Sequence, residues 1–466
     1  MAEMKKDVVI VGGGVAGTTA ALVLGKMGYE VTLFERKESL IGGPPFCHLH
    51  AGGNLYREIS DEQCLTLLRQ SIEFVRLYPF IVDRRPTVVA IPTRDPGEPN
   101  DLLPRLKRLQ KRYEALVEQD PANGVLGEPQ DYFRLYDEAD LRRLRDVPPP
   151  GRPQTPDEWM IPFAKSVDLK RLKFPVVLVR EFGLNLFRLA GGAMLQLRRI
   201  PTVSLRMNRR VCAIERVKEG FAVYDDGGER TVCEYLINAA GFRTGEIDDM
   251  LGLRARRMVE FKAAYTARWP RRHPYWPEVI FHGQRGTPEG MGQFTPYPAG
   301  FVQLHAMTPD ITLFEGGLVA STPQNSQPKL PETFLKMIDE GWPEELVNLR
   351  TRRAIDYLAR WIPDFSEASV GGPPLFGAQQ IPGNDPTLRV AEVAFATDRY
   401  ARCEIVKVSS VTDMMRAIVK DLNKGKPIDF AYDNLIDRSE EEIAEKAEEV
   451  ALSRGFSREM AHRLIG

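Results

Sequence analysis

Asp7-Val8-Val9-Ile10-Val11-Gly12-Gly13-Gly14-Val15-Ala16-Gly17 is the stretch that decides the fold. Its apolar run predicts a buried parallel strand. Thr18 to Met27 is rich in Ala and Leu and predicts a helix, which Gly28 ends. Val31-Thr32-Leu33-Phe34 predicts a second strand, with Glu35 at its end. Each glycine between strand and helix has a physical task. Gly12 permits the tight turn, Gly14 lets the backbone approach a pyrophosphate, and Gly17 lets helix and strand pack closely. Gly13, Val15 and Ala16 complete the turn and open the helix, whose free N–H groups and positive dipole end suit phosphate. Glu35 follows at about the twenty-residue spacing at which a carboxylate meets ribose hydroxyls. A lone glycine fingerprint is weak, but here strand, helix and acid all fall in place. The unit predicts dinucleotide binding.

Working outward, Arg36 and Lys37 follow the acid. Then comes Leu40-Ile41-Gly42-Gly43-Pro44-Pro45-Phe46-Cys47-His48-Leu49-His50-Ala51-Gly52-Gly53-Asn54. Four glycines and two prolines describe a shaped loop that brings backbone near a ligand. Much later, Val203 to Met207 and Arg210 to Ile214 predict strands. Phe221 to Tyr224, the turn Asp225-Asp226-Gly227-Gly228 and Thr231 to Ile237 predict a hairpin. It runs into Asn238-Ala239-Ala240-Gly241.

Over residues 7–57, and more loosely over 203–246, the chain resembles FAD-dependent oxidoreductases of the D-amino-acid oxidase superfamily. The resemblance implies FAD rather than NAD. It implies a site built from Gly12, Gly13, Gly14, Val15, Ala16, Gly17, Glu35 and Arg36. It adds the flavin loop with Gly42, Gly43, His48, Gly52 and Gly53, the backbone of Val211 for adenine, and the small residues Ala240 and Gly241. The expected fold class is α/β, a Rossmann-type FAD-binding domain with a second mixed β-sheet substrate domain and a helical C-terminal tail. The expected division is 1–80, 170–255 and 385–430 for FAD, 81–169 and 256–384 for substrate, and 431–466 for the tail. The implied reaction is hydride transfer from a small amine, amino acid or hydroxy acid to flavin, with oxygen, a quinone or a carrier as acceptor.

The bulk numbers agree with such an enzyme. The 466 residues suit two or three units. Lys plus Arg (63) and Asp plus Glu (64) nearly cancel, which leaves no general field for nucleic acid. No stretch nears the ~20 apolar residues of a membrane helix, and the first residues lack a secretory layout. Five irregularly spaced cysteines suggest neither a disulfide framework nor a metal site. The expected setting is the cytoplasm, with peripheral membrane attachment left open.

Catalytic candidates are less sharply marked. A substrate carboxylate wants an Arg fork, offered by Arg57, Arg188 or Arg402. A general base wants a His, and His50 is best placed, in the flavin loop, ahead of His48 and His305. Cys47, His48 and His50 leave open a covalent FAD link. Where the superfamily carries a glycine-rich turn before its last helix, this chain has Arg399 to Ser410 with no glycine. Lys407 is the candidate there to face the flavin with a full charge.

Further helices are expected over Asp61 to Leu77, Leu103 to Glu118, Asn185 to Leu197, Glu344 to Trp361 and Val411 to Leu422. Strands are expected over Ile311 to Ala320 and Leu388 to Phe395. Trp269 to Pro277 reads as a rigid proline-rich surface loop. The tail reads as a helical hairpin docked on the body, with a contact between copies of the chain or a solvated amphipathic end as the alternatives. Two other functions stay open: a monooxygenase fed by NAD(P)H, which the lack of a second nucleotide unit disfavours, and a non-catalytic flavin-binding protein.

Overall fold

The computed structural model describes residues 6–43, 46–49, 59–270, 273–425 and 430–466, with backbone only for Phe46–His48. The chain is α/β. A six-stranded sheet runs in the order Val393–Thr397, Tyr400–Cys403, Tyr235–Asn238, Asp7–Val11, Glu30–Glu35, Val203–Met207. All neighbours are parallel except the outermost pair, Val393–Thr397 with Tyr400–Cys403. Both faces of the central strand Asp7–Val11 are covered, which is why its sequence is a continuous apolar run. Val8 and Ile10 point toward the helices Val15–Lys26 and Val411–Leu422. Val9 and Val11 point toward an antiparallel layer of Val211–Val217, Gly220–Asp225 and Arg230–Cys233. The segment read as one strand over Thr231 to Ile237 therefore splits at Glu234, and each half joins a different sheet.

A larger mixed sheet stands beside the first. Its order is Leu318–Ala320, Arg257–Arg268, Phe301–Ala306, Gly292–Pro296, Glu278–Phe281, Thr87–Pro92, Leu172–Val179, Phe133–Tyr136, and Leu375–Pro382 also pairs with Arg257–Arg268. The helix Glu344–Ala359 covers one face through Ile355 and Leu358, with Trp361 just beyond it. Leu172–Val179 pairs here with Thr87–Pro92, although the sequence reading put it with the FAD segments.

Three other expectations give way. Only Leu318–Ala320 of the stretch 311–320 is strand, because Gly316 (φ +69°) and the adjoining Gly317 turn the chain. The second stretch becomes strand only at Val393, and the strand runs on to Thr397, where the turn at Arg399 (φ +58°) ends it. Trp269 and Trp276 are core anchors, packed edge-on and tilted around Phe294 and Phe365 with ring centroids 5.2–6.0 Å apart.

The tail is not a solvated end. Its helix Glu440–Ser453 opens with a capping box, in which Ser439 Oγ accepts from the Glu442 amide at 3.1 Å and the Glu442 carboxylate accepts from the Ser439 amide at 3.0 Å. It lays Ile443, Ala447, Val450 and Ala451 against Leu186–Leu197. Gly191 makes that approach close, since a Cβ there would stand 2.8 Å from the Ala447 nitrogen. Further on, the amides of Leu464 and Ile465 donate to the buried Asp83 carboxylate at 3.1 and 2.9 Å. Among the described residues no helix is long and apolar enough to cross a membrane.

Candidate cofactor and active site

The glycine turn is shaped by its neighbours. Gly12 sits at φ +104°, and a Cβ there would lie 2.4 Å from the Ala239 carbonyl oxygen. At Gly17 it would lie 1.9 Å from the Gly12 oxygen, so this glycine sets the strand–helix contact. At Gly14 nothing lies within 4 Å. Gly14 is also the N-cap of the helix Val15–Lys26, and no side chain caps that end. Val15 and Ala16 begin the first turn. The amides here face open space, as an anion site requires.

That space is a cavity of about 500 Å³. Gly12 and Gly14 line it, together with Glu35, Arg36, Gly42, Gly43, Val211, Ala240 and Gly241. The segments singled out along the sequence thus meet on one void. Glu35 Oε2 accepts from the Gly13 amide and Oε1 from the Lys37 amide, both at 2.8 Å. Each oxygen keeps a lone pair for a ribose hydroxyl. The opposite wall comes from the larger sheet and its helices: Ile338, Leu375, Phe376, Gly377 and Ala378. Arg36 and Arg243 both pair with Asp339, at the end of the helix Glu332–Asp339, and so tie the two walls together. The turn, the acid and the void fit a bound dinucleotide: Gly14 and the helix end for the diphosphate, Glu35 for ribose, Val211 for the base.

Beyond Gly377 the wall becomes charged. Gly377 pairs directly with Lys262, and Gln379 with Glu260, across the strands Leu375–Pro382 and Arg257–Arg268. Paired residues share a face. Lys262 Nζ donates to Gln379 Oε1 at 2.6 Å and lies 3.4 Å from Glu260 Oε2. Arg285 forms a short pair with Glu260. Burial pushes the Lys262 ammonium below its usual range, with Glu260 opposing. Gln379 Nε2 donates to the Val406 carbonyl at 3.2 Å, and Gln380 Nε2 to that of Cys403 at 3.1 Å, which docks this strand on the segment before the helix Val411–Leu422. Sequence reading missed Lys262, Glu260 and Arg285. Their only signal was three charges in apolar or loop surroundings, and strand pairing assembles them.

The catalytic candidates fare unevenly. His50, Arg57, Gly52 and Gly53 lie outside the described residues, as does the side chain of His48, whose backbone pairs with Gly183. Lys407 is half-buried and precedes the short turn Val408–Ser410. Arg188 and Arg402 are committed elsewhere. Arg188 donates to the Phe80 carbonyl at 2.9 Å and pairs with Glu440. Arg402 is locked in a buried network in which its guanidinium (3.2 Å), that of Arg257 (2.9 Å) and the Tyr400 hydroxyl (2.6 Å) all meet the Asp248 carboxylate. His305 pairs with Gln293 inside the larger sheet.

Fold and cavity together fit a dinucleotide-binding protein with one glycine-turn unit among the described residues. Residues 7–146 match the family described as FAD dependent oxidoreductase, DAO. The fold is shared with several solved enzymes. Glycine oxidase from Geobacillus kaustophilus superposes with a TM-score of 0.57 at 13% identity, covering 94% of this chain and 100% of that one. L-proline dehydrogenase from P. horikoshii gives 0.57 at 14%, covering 91% and 94%. L-amino acid deaminase from Proteus vulgaris gives 0.58 at 14%, covering 93% and 97%. No curated protein matches the sequence. The matched segment, residues 7–146, carries the likeness to FAD-dependent oxidoreductases of the DAO family, whose cofactor is FAD.

Proposed function

We propose that this enzyme oxidises a small amine, amino acid or hydroxy acid, with an α-amino acid the leading class. Bound FAD supplies the hydride acceptor for the C–H bond beside the substrate nitrogen or oxygen. The observation that carries the reading is the charged patch across from Gly377. Lys262 and Arg285 bring two cations against the single carboxylate of Glu260, on the strand face next to the cofactor cavity. A substrate carboxylate is the charge that balances them. Held there, it turns the α-carbon toward the cofactor side of the sheet. The half-buried surroundings weaken solvent screening and strengthen the pairing. Three of the proteins sharing the fold are named for action on amino acids, which supports the same class.

Within this reading residues 1–80, most of 170–255, and 385–430 build the cofactor unit. Residues 81–169 and 256–384, with Leu172–Val179, build the substrate unit. His50, Arg57 and Lys407 remain candidates to act on substrate or flavin. The balanced charge and scattered cysteines favour a cytoplasmic setting, and electrons pass to oxygen, a quinone or a carrier.

The test is anaerobic absorbance of the purified protein against amino acids, amines and 2-hydroxy acids, with NADPH as a separate arm. Bleaching of the flavin band by an amino acid is the expected result. Bleaching by NADPH alone would replace the proposal with a monooxygenase. A flavin that no compound reduces would leave a binding protein.

A further inference from the structure

Arg454 lies outside the matched segment and far from every motif of the nucleotide unit, yet it lines the cofactor cavity. It stands just past the tail helix Glu440–Ser453 and reaches back to the turn after Glu35. Its guanidinium donates to Ser39 Oγ at 2.8 and 3.1 Å, to the Leu40 carbonyl at 2.5 Å and to the Ile41 carbonyl at 3.1 Å. It also lies 5.7 Å from the centre of the Phe187 ring. All of these partners are neutral, and no carboxylate pairs with it among the described residues. Burial therefore pushes the guanidinium down to about 10, with Glu35 and Glu38 opposing at longer range. It remains a cation at neutral pH, and a poorly compensated one.

The turn it holds is under strain and in contact with the phosphate end. Ile41 sits at φ +58°, which is costly for a β-branched residue. The Ile41 amide donates to the Gly13 carbonyl at 2.7 Å, and the Leu40 side chain bounds Gly13 so closely that a Cβ there would lie 2.7 Å from it. One residue therefore fixes the turn behind the glycines and sets a positive charge on the cavity wall. Other cations line the cavity, but Arg36 and Arg243 share Asp339, Arg209 pairs with Asp225 at 3.8 Å, and Lys37 and Arg210 adjoin Glu35 and the strand Val211–Val217.

We propose that Arg454 of the C-terminal tail is a cofactor-binding residue that pairs with the FAD diphosphate and latches the Ser39–Ile41 turn beneath it. This rests on the family reading that FAD occupies the cavity.

The experiment is equilibrium binding to the apoprotein of FAD by flavin fluorescence, and of ADP and adenosine by calorimetry. Parent, Arg454→Met and Arg454→Gln are compared, with a thermal melt of each apoprotein. Losing a charge-assisted contact of ~1.5–3 kcal/mol corresponds to roughly ten- to a hundredfold weaker binding. FAD and ADP should weaken by that factor in both variants, and adenosine by less than about twofold. Glutamine can still donate to the turn carbonyls, so Arg454→Gln keeps the proposal testable if Arg454→Met does not fold. Unchanged FAD and ADP binding would overturn the proposal. So would an equal loss for all three ligands, which would reduce Arg454 to a shaper of the turn. A parent that binds adenosine and ADP but not FAD would strike at the family reading instead, while a drop in ADP affinity alone would still uphold the phosphate contact.

Discussion

At Gly12 a single added methyl group has nowhere to go. The positive φ costs about 1–2 kcal/mol for an L-residue, and the carbonyl 2.4 Å away is backbone that cannot rotate aside. Gly12→Ala is expected to purify without flavin, as read by the ratio of visible to protein absorbance. A flavin content equal to the parent's would mean that the turn relaxes freely. Lys262 makes a prediction in pH. Its lowered titration means the ammonium is lost as pH rises, at a midpoint below the 10.5 of a free lysine. The KM for a carboxylate substrate should therefore climb through that range while kcat falls less. Lys262→Arg, which stays protonated, should flatten the climb, and an unaltered profile would remove Lys262 from substrate binding. The glycines and Glu35 were legible because one local unit of chain carries the whole phosphate logic. Lys262, Glu260, Arg285 and Arg454 were not, because strand pairing and tail docking bring them to the cavity from distant parts of the chain.

Elements were legible where the pattern is local and failed where partners decide. The helices Asp61–Leu77 and Val411–Leu422 form as their apolar stripes predict, the first capped by Ser60. The strand Gly292–Pro296 was missed because its glycine flanks read as loop, and it exists because both its neighbours pair with it. Glycine contact also fixes the tail. Gly191→Val should push Glu440–Ser453 away from its partner helix and lower the urea midpoint by about 1–3 kcal/mol of stability. No shift would show that the two helices separate at little cost. In the strand Tyr400–Cys403, Tyr400→Phe removes the hydroxyl shared by Asp248 (2.6 Å) and Asn238 (2.8 Å), in a fully buried site. The expected loss is about 1–3 kcal/mol by the same measurement.

Across the whole molecule, the cavity takes its walls from both sheets and from the tail, so FAD should stabilise everything at once. At a free concentration a hundredfold above Kd, binding adds about 2.7 kcal/mol. Apoprotein titrated with FAD should show one thermal transition moving upward. Two transitions, only one of them responsive, would mean that the substrate unit unfolds separately. The two-sheet architecture was legible as a class, but the membership of Leu172–Val179 was not, since an apolar strand satisfies either sheet. The same spread of the site along the chain has a consequence during synthesis. The phosphate turn is translated well before the helix Val411–Leu422, which covers its strand, and before its latch Arg454. At about 5–20 residues per second the gap lasts on the order of half a minute to a minute and a half. Throughout that interval the nascent chain exposes an apolar central strand lacking one of its flanking layers. Ribosome-bound intermediates should need chaperone cover, and tight flavin capture waits until Arg454 has been made.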